Sequence, residues 1–361
     1  MFDDIIKAAK DGSAASAESQ ASAAKAMEEV DDSTVRIAVL GVGGAGCNCV
    51  NRITENGIKS ARTIAINTDG KHLNMVRAHQ KFLAGRTITR GLGAGGDLNI
   101  ARKCAESDRE ALKREIGENE LVFLCAGMGG GTGSGMSPTI AQIAREQGAI
   151  VVAMVTYPFA LERVRIKKAQ EALGELVKVC DTVVVIDNNR LAKFAPNLPI
   201  NKAFELADSI TTRAVTGISD TIMFPSLLNV DYADVQSVMK GGGLSMISLG
   251  HSSGHDKVES VVKDTLEHPL LDVNYEGAKG ALIHLEGGPD LSLGDAIKAG
   301  ESLTKTFDEN ASVKMGARIN PNMVGSLSMT AIITGVKSHY LLGKPASAEN
   351  ADSPKDDMEY L

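Results

Sequence analysis

Leu121-Val-Phe-Leu-Cys-Ala-Gly127-Met-Gly-Gly-Gly-Thr-Gly-Ser-Gly135 is the stretch that decides the fold of this chain. Six of the nine residues from Gly127 to Gly135 are glycine, with Met128 the one large apolar side chain among them. The run before them is short and apolar, the pattern of a buried strand. The run after them, Met136-Ser-Pro138-Thr-Ile140-Ala-Gln-Ile143-Ala144, repeats its apolar positions at helical spacing. Pro138 suits a first helical turn, where its missing N–H costs nothing. A strand, a loop almost without side chains and a helix start let backbone N–H groups surround a phosphate. A flexible hinge is a poor alternative between a buried strand and a well-started helix. The stretch predicts a nucleotide phosphate site.

A second loop of this kind lies upstream. Val35-Arg-Ile-Ala-Val-Leu40 reads as a strand, and Gly41-Val-Gly43-Gly44-Ala45-Gly46 satisfies G-x-G-x-x-G before a helix starting near Cys47 and Asn48. By itself this is a weak dinucleotide fingerprint. The next strand, Arg62 to Ile66, ends in Asn67-Thr68-Asp69, which puts an acid near the distance expected for a ribose. A nicotinamide oxidoreductase is therefore one alternative. It leaves the loop at Gly127–Gly135 unexplained, and also a third glycine turn, Gly91-Leu-Gly-Ala-Gly95-Gly96. A nucleoside triphosphate held on several sides accounts for all three. No G-x-x-x-x-G-K-[ST] occurs, so the phosphate charge must be met by helix N-termini, backbone amides and a cation.

Length and composition set the frame. A chain of 361 residues suits two modest domains. The net charge of −7 argues against a nucleic-acid surface. No apolar run approaches the ~18 residues of a membrane span, so no direct span is expected. The acidic N-terminus lacks the apolar core of a secretory signal. Cys47, Cys49, Cys104, Cys125 and Cys180 are odd in number and badly spaced for zinc; they read as reduced structural thiols in a cytoplasmic protein.

Residues 1–33, rich in Ala, Ser and acids, read as a flexible arm. From 34 to 199, strands at 35–40, 62–66, 121–126, 150–156 and 182–187 alternate with helices at 47–56, 97–116, 136–147 and 163–178. That alternation predicts a Rossmann-like α/β domain with a doubly wound parallel sheet. A linking helix over 200–217 leads into a smaller α+β domain, 218–343, with helices near 231–240, 256–267 and 292–307. Its strands are expected near 244–249, 279–286, 311–319 and 326–335. Residues 344–361, with five acids and two lysines, read as a flexible tail.

Several residues invite a chemical reading beside a plainer one. Asn229-Val-Asp231-Tyr-Ala-Asp234 opens a helix with two acids three apart on one face. Acids there can simply cap the helix, or they can polarise a water and hold a cation. Glu162 and Arg165 follow the strand 150–156, where ligands bind in parallel sheets. Glu162 can accept from a ribose hydroxyl and Arg165 can stack on a base, or both can merely start a charged helix. Asp208 lies mid-helix; it either faces water or accepts the N1–H and N2–H₂ of guanine. Asn201-Lys-Ala-Phe204 begins like the guanine-reading Asn-Lys-x-Asp motif of other GTPases but lacks its aspartate, and reads as a decoy.

Together these pieces resemble the tubulin/FtsZ superfamily, and FtsZ more than tubulin, from about Val35 to Lys337. The most specific element is Gly129-Gly130-Gly131-Thr132-Gly133-Ser-Gly135, flanked in the family's order by Gly41–Asn48, Asn67-Thr-Asp69, Gly91–Gly95, Pro158-Phe159 and Asn229–Asp234. The resemblance implies a GTPase that polymerises head to tail into protofilaments of the cell-division ring. It implies that Gly43, Gly44, Ala45, Gly46, Cys47 and Asn48, with Gly130, Gly131, Thr132 and Gly133, hold the phosphates of GTP or GDP. It implies that Glu162 and Arg165 contact ribose and base, that Asn188 contacts the nucleotide, and that Asp208 reads guanine. Asp69 is the expected ligand for Mg²⁺. Asn229, Asp231 and Asp234 would enter the next subunit's site and activate the hydrolytic water there. A GTP-bound structural or regulatory paralogue with little turnover is the alternative. Implied partners are further copies of the chain, a second FtsZ-like homologue and a membrane-tethering adaptor, at the division site. Glu162–Arg165 is one residue shorter than the family's usual spacing, and the mix of motifs looks closest to archaeal members.

Overall fold

Apolar β-branched runs that end in glycine, threonine or an acid pair side by side in this chain, and their shared ending builds one edge of the molecule. A computed structural model describes residues 35–189, 197, 200–223, 228, 230–240, 243–267 and 275–336. Strand β1 (Ile37–Val42) leads into helix α1 (Gly43–Glu55), β2 (Arg62–Asn67), α2 (Gly70–Met75), β3 (Gln80–Leu83) and α3 (Arg86–Thr89). Helices α4 (Leu98–Ser107) and α5 (Arg109–Ile116) precede β4 (Leu121–Gly127), α6 (Gly131–Glu146), β5 (Ile150–Tyr157), α7 (Arg163–Val179) and β6 (Thr182–Asp187). Then come α8 (Ile200–Met223), α9 (Tyr232–Met239), β7 (Gly243–Ser253), α10 (Lys257–Leu266), β8 (Gly280–Gly287), α11 (Leu293–Thr304), β9 (Ser312–Ile319) and β10 (Ser326–Thr334).

The strands lie in the order β3-β2-β1-β4-β5-β6-β7-β10-β8-β9. The first six are parallel, and their register levels Val42 with Ile66 and Ala126, Gly127 with Thr156, and Tyr157 with Asp187. The residues that follow these strands therefore emerge along a single carboxyl edge, where parallel sheets bind ligands. The second sheet is mixed: β10 runs antiparallel to β7 and β8, and β9 is parallel to β8. Thr182 and Val183 of β6 pair with Gly243 and Leu244 of β7, which joins the two sheets. Leu40, Ile64 and Leu124 pack with Met136, Ile140 and Leu173 in one core; Val261, Leu285, Ala299 and Met329 belong to another.

The expected strands and helices are present, with several differences. Helix α1 starts at Gly43 rather than near Cys47, and α8 runs on to Met223 rather than ending at 217. Helix α6 starts at Gly131 rather than Met136, so Pro138 lies inside the helix and not in its first turn. Close neighbours require glycine there: a Cβ on Gly135 would lie 2.4 Å from the carbonyl oxygen of Leu98. The expected helix over 97–116 is two, because Asp108 ends α4 and starts α5 while its carboxylate accepts from the Gly85 N–H at 2.6 Å. Between β2 and α4 lie α2, β3 and α3, which the sequence reading did not contain; each is four to six residues long. All five cysteines are free and buried. The arm at 1–33 and the tail at 344–361 lie outside the described residues.

Candidate functional site

Two helices begin at the glycine loops of the carboxyl edge without a side-chain cap. Helix α1 follows Val42 and α6 follows Gly130, and neither residue bonds the first amides of its helix. Free N–H groups carrying the positive end of two helix dipoles thus meet at one place, the arrangement that binds anions. Four other helices carry a side-chain cap: Asp69, Asp97, Asp231 and Ser292 each accept from the first turn that follows. At the two glycine loops the residue before the helix, Val42 or Gly130, has no side-chain acceptor to offer.

The loops touch through glycine. Gly43 has φ of 72°, and a Cβ there would sit 2.7 Å from the amide nitrogen of Gly133. Gly44 and Ala45 are exposed, and a Cβ on Gly44 would meet nothing within 4 Å. Gly46 and Cys47 are buried; the Cys47 thiol bonds the carbonyls of Gly41 and Ile66, and burial pushes it up to about 12, which removes it as a nucleophile. Thr132 shares a 2.7 Å hydroxyl bond with Thr68, pinning α6 to the end of β2. The third glycine turn closes over the same corner: Gly93 N–H donates to Thr68, and a Cβ on Gly131 would lie 2.9 Å from Gly96 Cα.

Asp69 caps α2 by accepting from His72 N–H at 3.1 Å, while Asn48 Oδ1 meets His72 Nε2 at 3.0 Å. Among the described residues no three His, Cys, Asp or Glu side chains converge on a metal position. Asp69 suits a cation that takes one protein carboxylate and completes its shell with phosphate oxygens and water, as Mg²⁺ does.

Along the edge toward β6 stand groups suited to a ribose and base. Glu162 precedes α7, accepts from Phe159 N–H at 3.1 Å and pairs with Arg165 Nη1 at 2.5 Å. Asn189 is bonded to Pro158, Ala160 and Asp187, whereas the buried Asn188 Oδ1 has no partner among the described residues. On α8, burial pushes the Asp208 carboxyl up to about 6, against the pull of Arg52 and with the help of Glu205. Arg52 Nε on α1 stands 3.9 Å from Asp208 and has no hydrogen-bond partner among the described residues. Asp208 is thus a half-buried acceptor and Asn188 a buried one, the kind of group that the N–H donors of a base satisfy.

Asp231 and Asp234 are not at this edge. They form a reciprocal capping box at the start of α9, with Asp231 Oδ1 accepting from Asp234 N–H at 2.7 Å. Asp234 also pairs with Lys314 of β9 at 2.8 Å; that bond holds its carboxyl below the usual carboxylate range. The Tyr232 hydroxyl between them donates to the carbonyl of Glu120 at 2.8 Å. Glu120 immediately precedes β4, whose other end is Gly127. Seven strand residues at about 3.3 Å each put the acids roughly 20 Å or more from the glycine loops. Asn229 lies outside the described residues.

A cavity of about 960 Å³ lies apart from both, between α8 and the second sheet, bordered by Asp220, His284, Glu286 and Arg318. Burial lowers the His284 imidazole to about 4, so it is neutral there. Sequence reasoning missed Arg52 and Lys314. Each reaches its acid from an element far away in the chain, and nothing local marks such a pairing. Thr68 was within the quoted Asn-Thr-Asp run but was given no role; its small hydroxyl beside a glycine loop was the available signal.

Two family models match the chain: the GTPase domain of the tubulin/FtsZ family over residues 36–196, and the C-terminal domain of the FtsZ family over 243–337. Cell division protein FtsZ 2 of Methanocaldococcus jannaschii is 55% identical over 312 residues, covering 86% of this chain and 82% of that protein. Cell division protein FtsZ 2 of Haloferax volcanii is 44% identical over 358 residues, 99% of this chain and 88% of that protein. An empty FtsZ dimer from M. jannaschii superposes with a TM-score of 0.81 at 41% identity, over 87% of this chain and 92% of that one. A tubulin-like fold, archaeal relatives and matched GTPase and C-terminal regions all agree: the chain belongs to the FtsZ family of cell-division GTPases.

Proposed function

We propose that this chain binds GTP at the carboxyl edge of its parallel sheet and hydrolyses it only in a head-to-tail polymer, where a neighbour's acids complete the site. The observation that carries this reading is the separation of the two halves. The anion-binding loops and the paired acids lie at opposite ends of β4, too far apart to act on one molecule within one chain. A second copy stacked end to end brings them together.

The uncapped amides of α1 and α6 bind the phosphates, Thr68 and Thr132 hold the two loops in register, and Asp208, Asn188 and Glu162 orient base and ribose. Mg²⁺, held by Asp69, would neutralise phosphate charge. Asp231 and Asp234 of the incoming copy orient the attacking water and accept its proton. Residues 34–199 then form the nucleotide domain, 200–217 the link and 218–343 the domain that carries the acids. Such protofilaments would build a ring at the division site, with a tethering adaptor or a second homologue as further partners.

A second reading, assembly with little turnover, draws on the ion pair to Lys314, which already engages Asp234 in the single chain. Mixing two variants decides between them. Gly44→Glu places a like charge where phosphate binds, at a position open enough to keep the fold. Asp234→Asn keeps the loops and removes the acid. Neither protein alone should turn over GTP; together they form one competent junction and should recover phosphate release that vanishes on dilution. No recovery, with both variants folded and still co-assembling, would count against the shared site.

A further inference from the structure

Arg165 and Lys168 are three apart on one face of α7, and Glu162 is the residue that precedes the helix. That face runs along the glycine loop. Arg165 Cβ is 2.8 Å from the position of a Cβ on Gly129, and the half-buried Lys168 donates from Nζ to the carbonyl oxygen of Gly96. Gly96 closes the third glycine turn and abuts Gly131, the first residue of α6. The Lys168 ammonium therefore reaches the point where that turn meets an uncapped helix start. An ammonium has three N–H donors, and Gly96 takes one.

The sheet order gives the direction in which a nucleotide lies. Asn188 follows β6 and Asp208 is on α8, so the base belongs at that end. The third turn belongs to the other end: Leu92 bridges Asp69, and Gly93 N–H bonds Thr68, just past β2. A triphosphate with its base near β6 carries its terminal phosphate toward Gly93–Gly96.

We propose that Lys168 makes this site prefer a nucleoside triphosphate to a diphosphate. Through Gly96 it positions the third glycine turn over α6, and it brings to the terminal phosphate the positive charge that a P-loop lysine supplies in other folds. The inference rests on the nucleotide site proposed above and adds the source of its discrimination.

The test is equilibrium binding of GDP and of a non-hydrolysable GTP analogue to the full chain, alongside thermal denaturation. For Lys168→Gln we expect the analogue to bind about tenfold or more weakly, the scale of a lost charge-assisted bond, with GDP affinity changed by less than about threefold. Lys168→Arg should keep most of the preference, and it reports independently if the Gln variant folds poorly. Equal losses for both nucleotides, accompanied by a lower Tm, would make Lys168 a tie for the turn and overturn the inference. So would an Arg variant that loses the preference, or a Gln variant that keeps it. A wild-type chain that binds neither nucleotide overturns the site itself; one that binds both, with an unchanged ratio in Lys168→Gln, overturns this inference alone.

Discussion

At the carboxyl edge of the parallel sheet, backbone donors are left without partners; at the amino edge, carboxylates have partners already. Helices α1 and α6 start uncapped, whereas Asp231 and Asp234 cap each other and Lys314 grips Asp234. An edge of unmet donors is a binding site awaiting an anion. An edge of satisfied acids is stable by itself and becomes chemically useful only when something arrives that competes for them. The proposal of a site completed by a second copy rests on that contrast.

The largest effect that tests this contrast is on turnover. Asp234→Asn preserves size and one hydrogen-bond acceptor but removes the charge, so GTP binding and folding should survive. Steady-state hydrolysis should fall by roughly 10²-fold or more, the scale of a lost acid–base group. Wild-type turnover in this variant, measured as phosphate release at saturating protein, would reduce the amino edge to a helix cap.

Next comes the base end of the carboxyl edge. Asp208→Ala should weaken GTP binding by about 1–3 kcal/mol, the range for a charge-assisted pair, and should narrow the preference over ATP. If ATP and GTP compete equally for the wild-type chain, Asp208 does not read the base.

A smaller effect follows from the titration of Asp208, whose carboxyl sits at about 6. In the unfolded chain an aspartate titrates near ~3.9. Between these values the folded, nucleotide-free chain binds more protons than the unfolded one, so this group makes it more stable as pH falls from about 7 to 4. Guanine N–H donors need the ionised carboxylate, so nucleotide binding runs the other way. GTP affinity should fall by about tenfold between pH 7 and pH 5, while Asp208→Asn should flatten that dependence. A binding profile unaltered by Asp208→Asn would assign the pH dependence to another group.

What the sequence made legible follows the same contrast. The central strands of the parallel sheet were readable because they are apolar, largely β-branched runs bounded by turn formers, as in Ile150–Tyr157 and Thr182–Asp187. The carboxyl edge was readable because its three glycine turns directly follow or face those strands. The start of α6 was not, since Gly131, Gly133 and Gly135 count as loop by propensity, while the close approach of Gly96, Gly127 and Leu98 that requires glycine there comes from distant parts of the fold. Strand β3, four residues and mostly half-exposed, carries too little pattern to be seen. The partners of the acids were invisible for a third reason: Arg52 to Asp208 and Lys314 to Asp234 are contacts made by the fold between distant elements. For the amino edge, spacing alone left both capping and chemistry open, with capping the plainer reading, and the geometry shows the cap.

The smallest predicted effect separates those two duties within one residue. Asp231 receives the Asp234 N–H at 2.7 Å, and its own N–H is offered to Asp234 Oδ2 at 3.4 Å. Asp231→Ala should cost about 1 kcal/mol of stability, because an orphan donor returns to the first turn of α9. Serine is nearly as good a cap as aspartate, so Asp231→Ser should lose only a few tenths of a kcal/mol, read as a Tm close to wild type. Turnover should not follow stability. If the carboxylate serves the neighbouring subunit's nucleotide, serine restores the cap and leaves hydrolysis as low as in Asp231→Ala. If serine restores both, Asp231 does no more than start its helix, and the chemistry at the amino edge falls to Asp234 and whatever Asn229 contributes beside it.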